Sequence, residues 1–109
     1  MTQEDPKEVL RICVSSSQFH RRQPVYEVIV EEARRRGLAG ATVLKGNSGF
    51  ILGGPLSTGS ELGLPEGVPV IVEIIEAPEK IEPFMGFLEE ILKEGSVARI
   101  PARARTYRR

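Results

Sequence analysis

The run Val68-Pro-Val-Ile-Val-Glu-Ile-Ile75 constrains the fold more than any other part of the chain. Its alternating positions are apolar in both phases: Val70, Val72 and Ile74 on one face, Ile71 and Ile75 on the other. A strand on a half-solvated sheet needs only one apolar face, so this one asks for cover on both sides. Pro69 has no N–H to give a ladder and belongs near the strand's beginning or at an unpaired position.

The remaining elements arrange themselves around that strand. Val9 to Val14 alternates with Leu10, Ile12 and Val14 on one face and Cys13 on the other. Ser15 to Gln23 is a polar connection, and Pro24 suits the first position of a helix. Val25, Val28, Ile29 and Ala33 then form a stripe at helical spacing. Glu31 with Arg35 and Glu32 with Arg36 are i,i+4 pairs on its wet side, and Gly37 ends it. Ala41 to Lys45 is a short second strand. A second helix is expected over Pro78 to Glu94, with Ile81, Phe84, Met85, Leu88, Ile91 and Leu92 inward and a distortion at Pro83. Gly95 closes it, and Ser96 to Pro101 is a fourth strand.

The order is thus β-α-β-β-α-β. With right-handed crossovers it predicts an α+β, ferredoxin-like fold: a four-stranded antiparallel sheet with both helices on one face. Two helical stripes cover one side only, so the apolar residues of the second face predict a homo-oligomer assembled through the open sheet.

Length and charge narrow the function. One domain over residues 1–109 is expected, and 15 basic against 15 acidic side chains leave no net field toward nucleic acid or an anionic membrane. Cys13 is alone, so no intramolecular disulfide can form. No apolar run approaches the ~18 residues of a membrane span, and the polar start does not read as a signal peptide. The expectation is a soluble cytoplasmic protein. No paired carboxylates, triad or metal cluster is visible, so an enzyme is not expected. His20 lacks partners at ligand spacing and reads as a surface residue. Ser15, Ser16 and Ser17 offer hydroxyls, but no motif positions a base beside them.

Seven of the eleven glycines fall between Gly46 and Gly67. A connection this long is usually functional or disordered, and a flexible loop over about 46–67 is expected. Its charges are Glu61 and Glu66, with no lysine or arginine. The segment Gly46-Asn47-Ser48-Gly49 could turn successive N–H groups toward an anion; it reads equally as an ordinary turn. From Val97 onward come five arginines and no acid. Arg103 and Arg105 point the same way if the tail over about 102–109 is extended, a spacing suited to phosphate oxygens. A solvated, frayed terminus is the alternative. Arg99 falls inside the fourth strand.

The stretches Pro24-Val-Tyr-Glu-Val-Ile-Val30, Gly40-Ala-Thr-Val-Leu-Lys-Gly46 and Gly49-Phe50 resemble the small PII-like proteins, a domain-of-unknown-function branch of the PII signal-transduction superfamily. The similarity runs over roughly residues 9 to 101. It implies a trimer with the helices outside, and inter-subunit clefts where relatives bind adenine nucleotides at the base of a mobile loop. ATP, ADP or AMP would then be the effector, with no cofactor required. The implied ligand-binding residues are Gly40, Ala41, Thr42, Gly46, Asn47, Ser48, Gly49, Phe50, Arg99, Arg103 and Arg105. Thr42 reads equally as a strand threonine chosen for β propensity, and Phe50, like Tyr26, as a packing residue. The loop would act on a partner protein. Alternatives are a ligand-independent interaction module for a membrane channel or transporter, and a divalent-metal-responsive trimer, for which one histidine and one cysteine supply few ligands.

Overall fold

The computed structural model describes residues 2–51, 56 and 67–108. Most of the glycine-rich loop expected over 46–67 therefore lies outside the described residues. The elements are β1 (Thr2–Ser15), β2 (Phe19–His20), β3 (Gln23–Pro24), α1 (Val25–Arg35), β4 (Thr42–Lys45), β5 (Pro69–Glu76), α2 (Pro78–Ile91) and β6 (Ser96–Tyr107). One antiparallel sheet has the order β4-β5-β1-β6, and β2 and β3 form a separate two-residue-strand hairpin. This is the ferredoxin-like arrangement of the expected α+β class, with β5 and β1 in the interior.

Both helices pack on one face. Leu10, Ile12 and Val14 of β1 and Val70, Val72 and Ile74 of β5 are fully buried against Val25 and Ile29 of α1 and Ile81, Phe84 and Leu88 of α2. Each such side chain contributes about 1.5–3 kcal/mol through burial, so this layer holds the fold. The α2 helix runs through Pro83 unbroken and ends at Ile91, three residues short of the expected Glu94. Arg36 closes the outer side of the helical layer. Its guanidinium lies 5.6 Å from the Phe84 ring and 5.3 Å from that of Phe87, and it donates to the Pro83 carbonyl at 3.3 Å.

Four local features differ from the pattern reading. Pro24 is the residue before α1, with ψ 133°, because it closes the β2–β3 hairpin opposite Phe19. The tip of that hairpin is Arg21-Arg22, both at positive φ (50° and 70°), the backbone of a type I′ turn normally filled by asparagine and glycine. Arg35 binds Glu32, whereas Glu31 accepts from Gln23 of the hairpin at 2.8 Å. Finally, β1 begins at Thr2 and β6 continues to Tyr107, well past Val9 and Pro101. Thr2 to Lys7 pair with Ala102 to Tyr107 beyond the end of β5, forming a two-stranded arm.

The sheet's second face carries three rows across the strands. Leu44, Ile71 and Cys13 make one apolar row, and Ile75, Val9 and Ile100 another. Between them lie Thr42, Glu73, Arg11 and Ala98, with Arg11 and Glu73 ion-paired at 2.8 Å. Leu44, Ile75 and Ile100 are exposed at 50%, 44% and 39%. A large apolar side chain left this open on three of the sheet's four strands is the mark of an unpartnered surface.

Candidate functional site

The site residues expected from sequence fall into three groups on this frame. Gly40, Ala41 and Thr42 sit where the chain leaves α1 and enters β4. They are exposed, and with Ala39, Glu73 and Ile75 they line a depression of about 200 Å³ on the open face. A carboxylate holds this corner in place. Glu76, 4% exposed, accepts from the Ala39 N–H at 2.8 Å and the Ala77 N–H at 2.7 Å, with the Lys7 ammonium 4.0 Å away. A buried carboxylate is tolerated only with such donors. Here they tie the β4 entry to the start of α2.

Gly46, Asn47, Ser48, Gly49 and Phe50 lie at the other end of β4, where the long loop departs. Three residues of strand separate the two groups, a span of roughly 13 Å from Thr42 to Gly46. The Gly46 N–H donates to the Pro69 carbonyl at 2.8 Å, so it closes the loop root and is not free for an anion. Gly49 has φ 138°, and a Cβ there would come within 3.3 Å of Pro69. Phe50 is 70% exposed and, with Ile51, Pro69, Ile71, Cys13, Gly95 and Ser96, lines a second depression of about 330 Å³. Tyr26 packs beneath Lys45, whose ammonium is 5.3 Å from the ring centre.

The arginines form the third group, on the far edge of the sheet. Strand β6 is separated from β4 by β5 and β1, a distance of roughly 14 Å at the usual strand spacing. Arg99 lies on the helical side and binds Glu8 and Glu82 at 2.8 and 3.0 Å. These bonds, Glu82 first and then Glu8, raise its pKa further. Arg103 and Arg105 project from the arm and both bind Glu4, at 3.0 and 3.1 Å. The tail is thus a paired strand, and its two guanidiniums do share one side.

Within one chain, then, the loop-root residues, the Thr42 corner and the arm arginines do not converge. Neither depression reaches far into the ~300–1,000 Å³ typical of ligand pockets. Several lining residues escaped the sequence reading. Glu73 and Ile75 were visible as strand positions only, and Cys13 comes to lie between Ile71 and Ser96 through registers that join distant parts of the chain. Gly95 had a local signal as a helix terminator. Its φ of 115° and the Cys13 carbonyl that a Cβ would strike appear only in the fold.

A family model, DUF190 (Uncharacterized ACR, COG1993), matches residues 7–104. The chain belongs to this family. It is 38% identical over 85 residues to a UPF0166 protein of Aquifex aeolicus (strain VF5), covering 78% of each. Among solved structures, this DUF190 chain is similar to CPII of Thiomonas intermedia K12 bound to ADP and bicarbonate, with a TM-score of 0.65 at 15% identity over 97% of this chain and 93% of that one. It is also similar to CPII, a nitrogen regulatory PII-like protein, bound to ADP, AMP and bicarbonate, with a TM-score of 0.59 at 14% identity over 98% and 99%. At such identities the likeness is one of fold. The DUF190 chain therefore has the PII-like architecture of the branch its Gly40–Gly46 run resembles. No helix among the described residues is long and apolar enough to cross a membrane.

Proposed function

We propose that this DUF190 protein is a PII-like, non-enzymatic regulator. Three copies join through their open sheet faces, and an adenine nucleotide binds where the loop root of one copy meets the Thr42 corner and arm of the next. The observation that carries this reading is the division of the candidate residues between opposite ends of a sheet whose bare face is apolar. A second copy on that face supplies what one chain lacks. Family membership supports it, as does the fold shared with CPII, itself solved with ADP and AMP. In this reading Gly46–Phe50 and the depression beside Gly95 receive one part of the nucleotide, and Gly40–Thr42 receive another. Arg99 belongs to the same cleft, and Arg103 and Arg105 take phosphate oxygens. Occupancy biases the loop beyond Phe50, and that loop acts on a cytoplasmic partner surface, a membrane channel or transporter included. A ligand does so only through different affinities for two loop states.

Sedimentation combined with calorimetry tests it. The expected result is a particle three times the 12.0 kDa chain mass, with heat on adding ATP, ADP or AMP that falls in an Arg103→Ala/Arg105→Ala variant. A folded monomer at micromolar concentration would overturn the shared cleft, and silence toward all three nucleotides would remove the effector.

A further inference from the structure

The arm holds an arrangement that the nucleotide reading does not require. Glu4 stands directly across the strand pair from Arg105, and Pro6 stands across from Arg103. Arg103 and Arg105 are two residues apart on β6, so both project to the same side as Glu4. Each guanidinium takes a different oxygen of one carboxylate: Arg103 Nη2 donates to Oε1 at 3.0 Å and Arg105 Nη2 to Oε2 at 3.1 Å. The two arginines are thereby oriented as a fork around a single oxyanion, and Glu4 is the oxyanion in it. All three side chains face water, the arginines at 82% and 54% exposure and Glu4 at 36%. Glu4 and Arg105 fall outside residues 7–104, so this contact is not part of what the family match covers.

We infer that Glu4 is an internal competitor that occupies the Arg103–Arg105 fork until a phosphate-bearing ligand displaces it. The inference rests on reading that fork as a phosphate site. Its physical basis is a difference in strength. Solvent-exposed carboxylate–arginine pairs are weakly held. A polyphosphate carries several negative charges and makes stronger, charge-assisted, paired bonds to guanidinium. Glu4 keeps the two guanidiniums from splaying apart under their own repulsion, and it lowers the affinity for any anion that must evict it. Weak anions are thereby screened out while polyphosphates still bind. When the carboxylate is released it lies beside the incoming phosphate, where like charge works against retention and makes binding reversible.

The test is anion binding by the full chain, with sodium tripolyphosphate and ATP as separate probes and circular dichroism to check the fold. Glu4→Gln and Glu4→Ala should each bind tripolyphosphate about fivefold more tightly than wild type. The gain should disappear when Arg103→Ala/Arg105→Ala is added. Glu90→Gln, an exposed α2 position that changes net charge equally, should leave the affinity unchanged. Equal or weaker binding by both Glu4 variants overturns the inference, as does a gain of the same size in Glu90→Gln. A fork-dependent gain with tripolyphosphate and none of the nucleotides binding supports the Glu4 assignment while overturning the nucleotide effector.

Discussion

Ser16 and Val68 bind each other twice. The Ser16 N–H donates to the Val68 carbonyl at 2.9 Å, and the Val68 N–H donates to Ser16 Oγ, also at 2.9 Å. One residue earlier, Gly67 has φ 149°, and a Cβ on it would lie 2.6 Å from Ser15 Oγ and 2.8 Å from Ser17 Oγ. With the Gly46 N–H on the Pro69 carbonyl, both ends of the long loop are pinned within three residues of each other. The three serines thus form the socket of the loop.

Ser16→Ala should remove one of the two bonds and leave the Val68 N–H without its acceptor. A lost partner at a half-buried donor costs about 1 kcal/mol, which denaturant unfolding would register as a lower midpoint. Amide exchange at Val68 should accelerate. Ser16→Thr keeps the hydroxyl and should restore both measurements; if it does not, the clamp is not what the substitution removed.

Glu76 should be among the costliest polar positions to truncate. Glu76→Ala takes away the acceptor of the Ala39 and Ala77 N–H groups and leaves a void beside the Lys7 ammonium. The expected loss is about 2–3 kcal/mol. Chemical-shift changes should concentrate at Ala39 to Thr42, because that corner loses its tie to α2. A loss under about 0.5 kcal/mol would mean that water replaces the carboxylate.

Two glycines should respond in opposite directions to alanine. Gly95, at φ 115°, abuts the Cys13 carbonyl, so Gly95→Ala combines an unfavourable backbone region with a backbone clash and should cost about 2 kcal/mol or more. Gly86 lies in α2 with nothing within 4 Å of the site of a Cβ, so Gly86→Ala should stabilise by about 0.5–1 kcal/mol. Thermal unfolding of the two variants against wild type reads both signs.

Acid should weaken the α1 surface. Hydrogen bonds from Arg35 first, and then from Arg36, hold the Glu32 carboxyl below its ordinary value of 4.5. A group depressed in the folded state contributes stability above its unfolded pKa and loses it as pH falls through the folded one. Glu32→Gln should therefore unfold at lower denaturant than wild type at about pH 7. The gap should narrow below pH 4.5 and shrink in high salt, since Arg35 is largely solvated. Midpoints measured across pH would show a constant gap if Arg35 and Arg36 did not set the shift.

The elements with internal periodicity are legible in the sequence. The buried faces of β1 and β5 are the alternating residues Leu10 to Val14 and Val70 to Ile74, and the stripes of α1 and α2 are the expected ones. Local pattern suffices there because a strand or helix selects its own buried face. The Glu31–Arg35 pairing failed for the converse reason: spacing allowed it, but the hairpin brought Gln23 to Glu31 and left Arg35 to Glu32. The arm was likewise illegible. Thr2 to Lys7 does not alternate in hydrophobicity, and Ala102 to Arg105 alternates only alanine with arginine, which gives no bulky apolar face to bury; each is a strand because the other lies beside it.

The amino-acid order alone therefore determined the β-α-β-β-α-β succession, the single helical layer and the apolar bare face, since each is written in a period of 2 or 3.6 residues. Which chemistry meets which was decided by tertiary structure. The Ser16–Val68 clamp, the Glu76 tie to the Thr42 corner and the Glu4 carboxylate between Arg103 and Arg105 join residues 52, 37 and about 100 positions apart. Contacts across such spans depend on the closure and register of the whole sheet, and no local repeat encodes them.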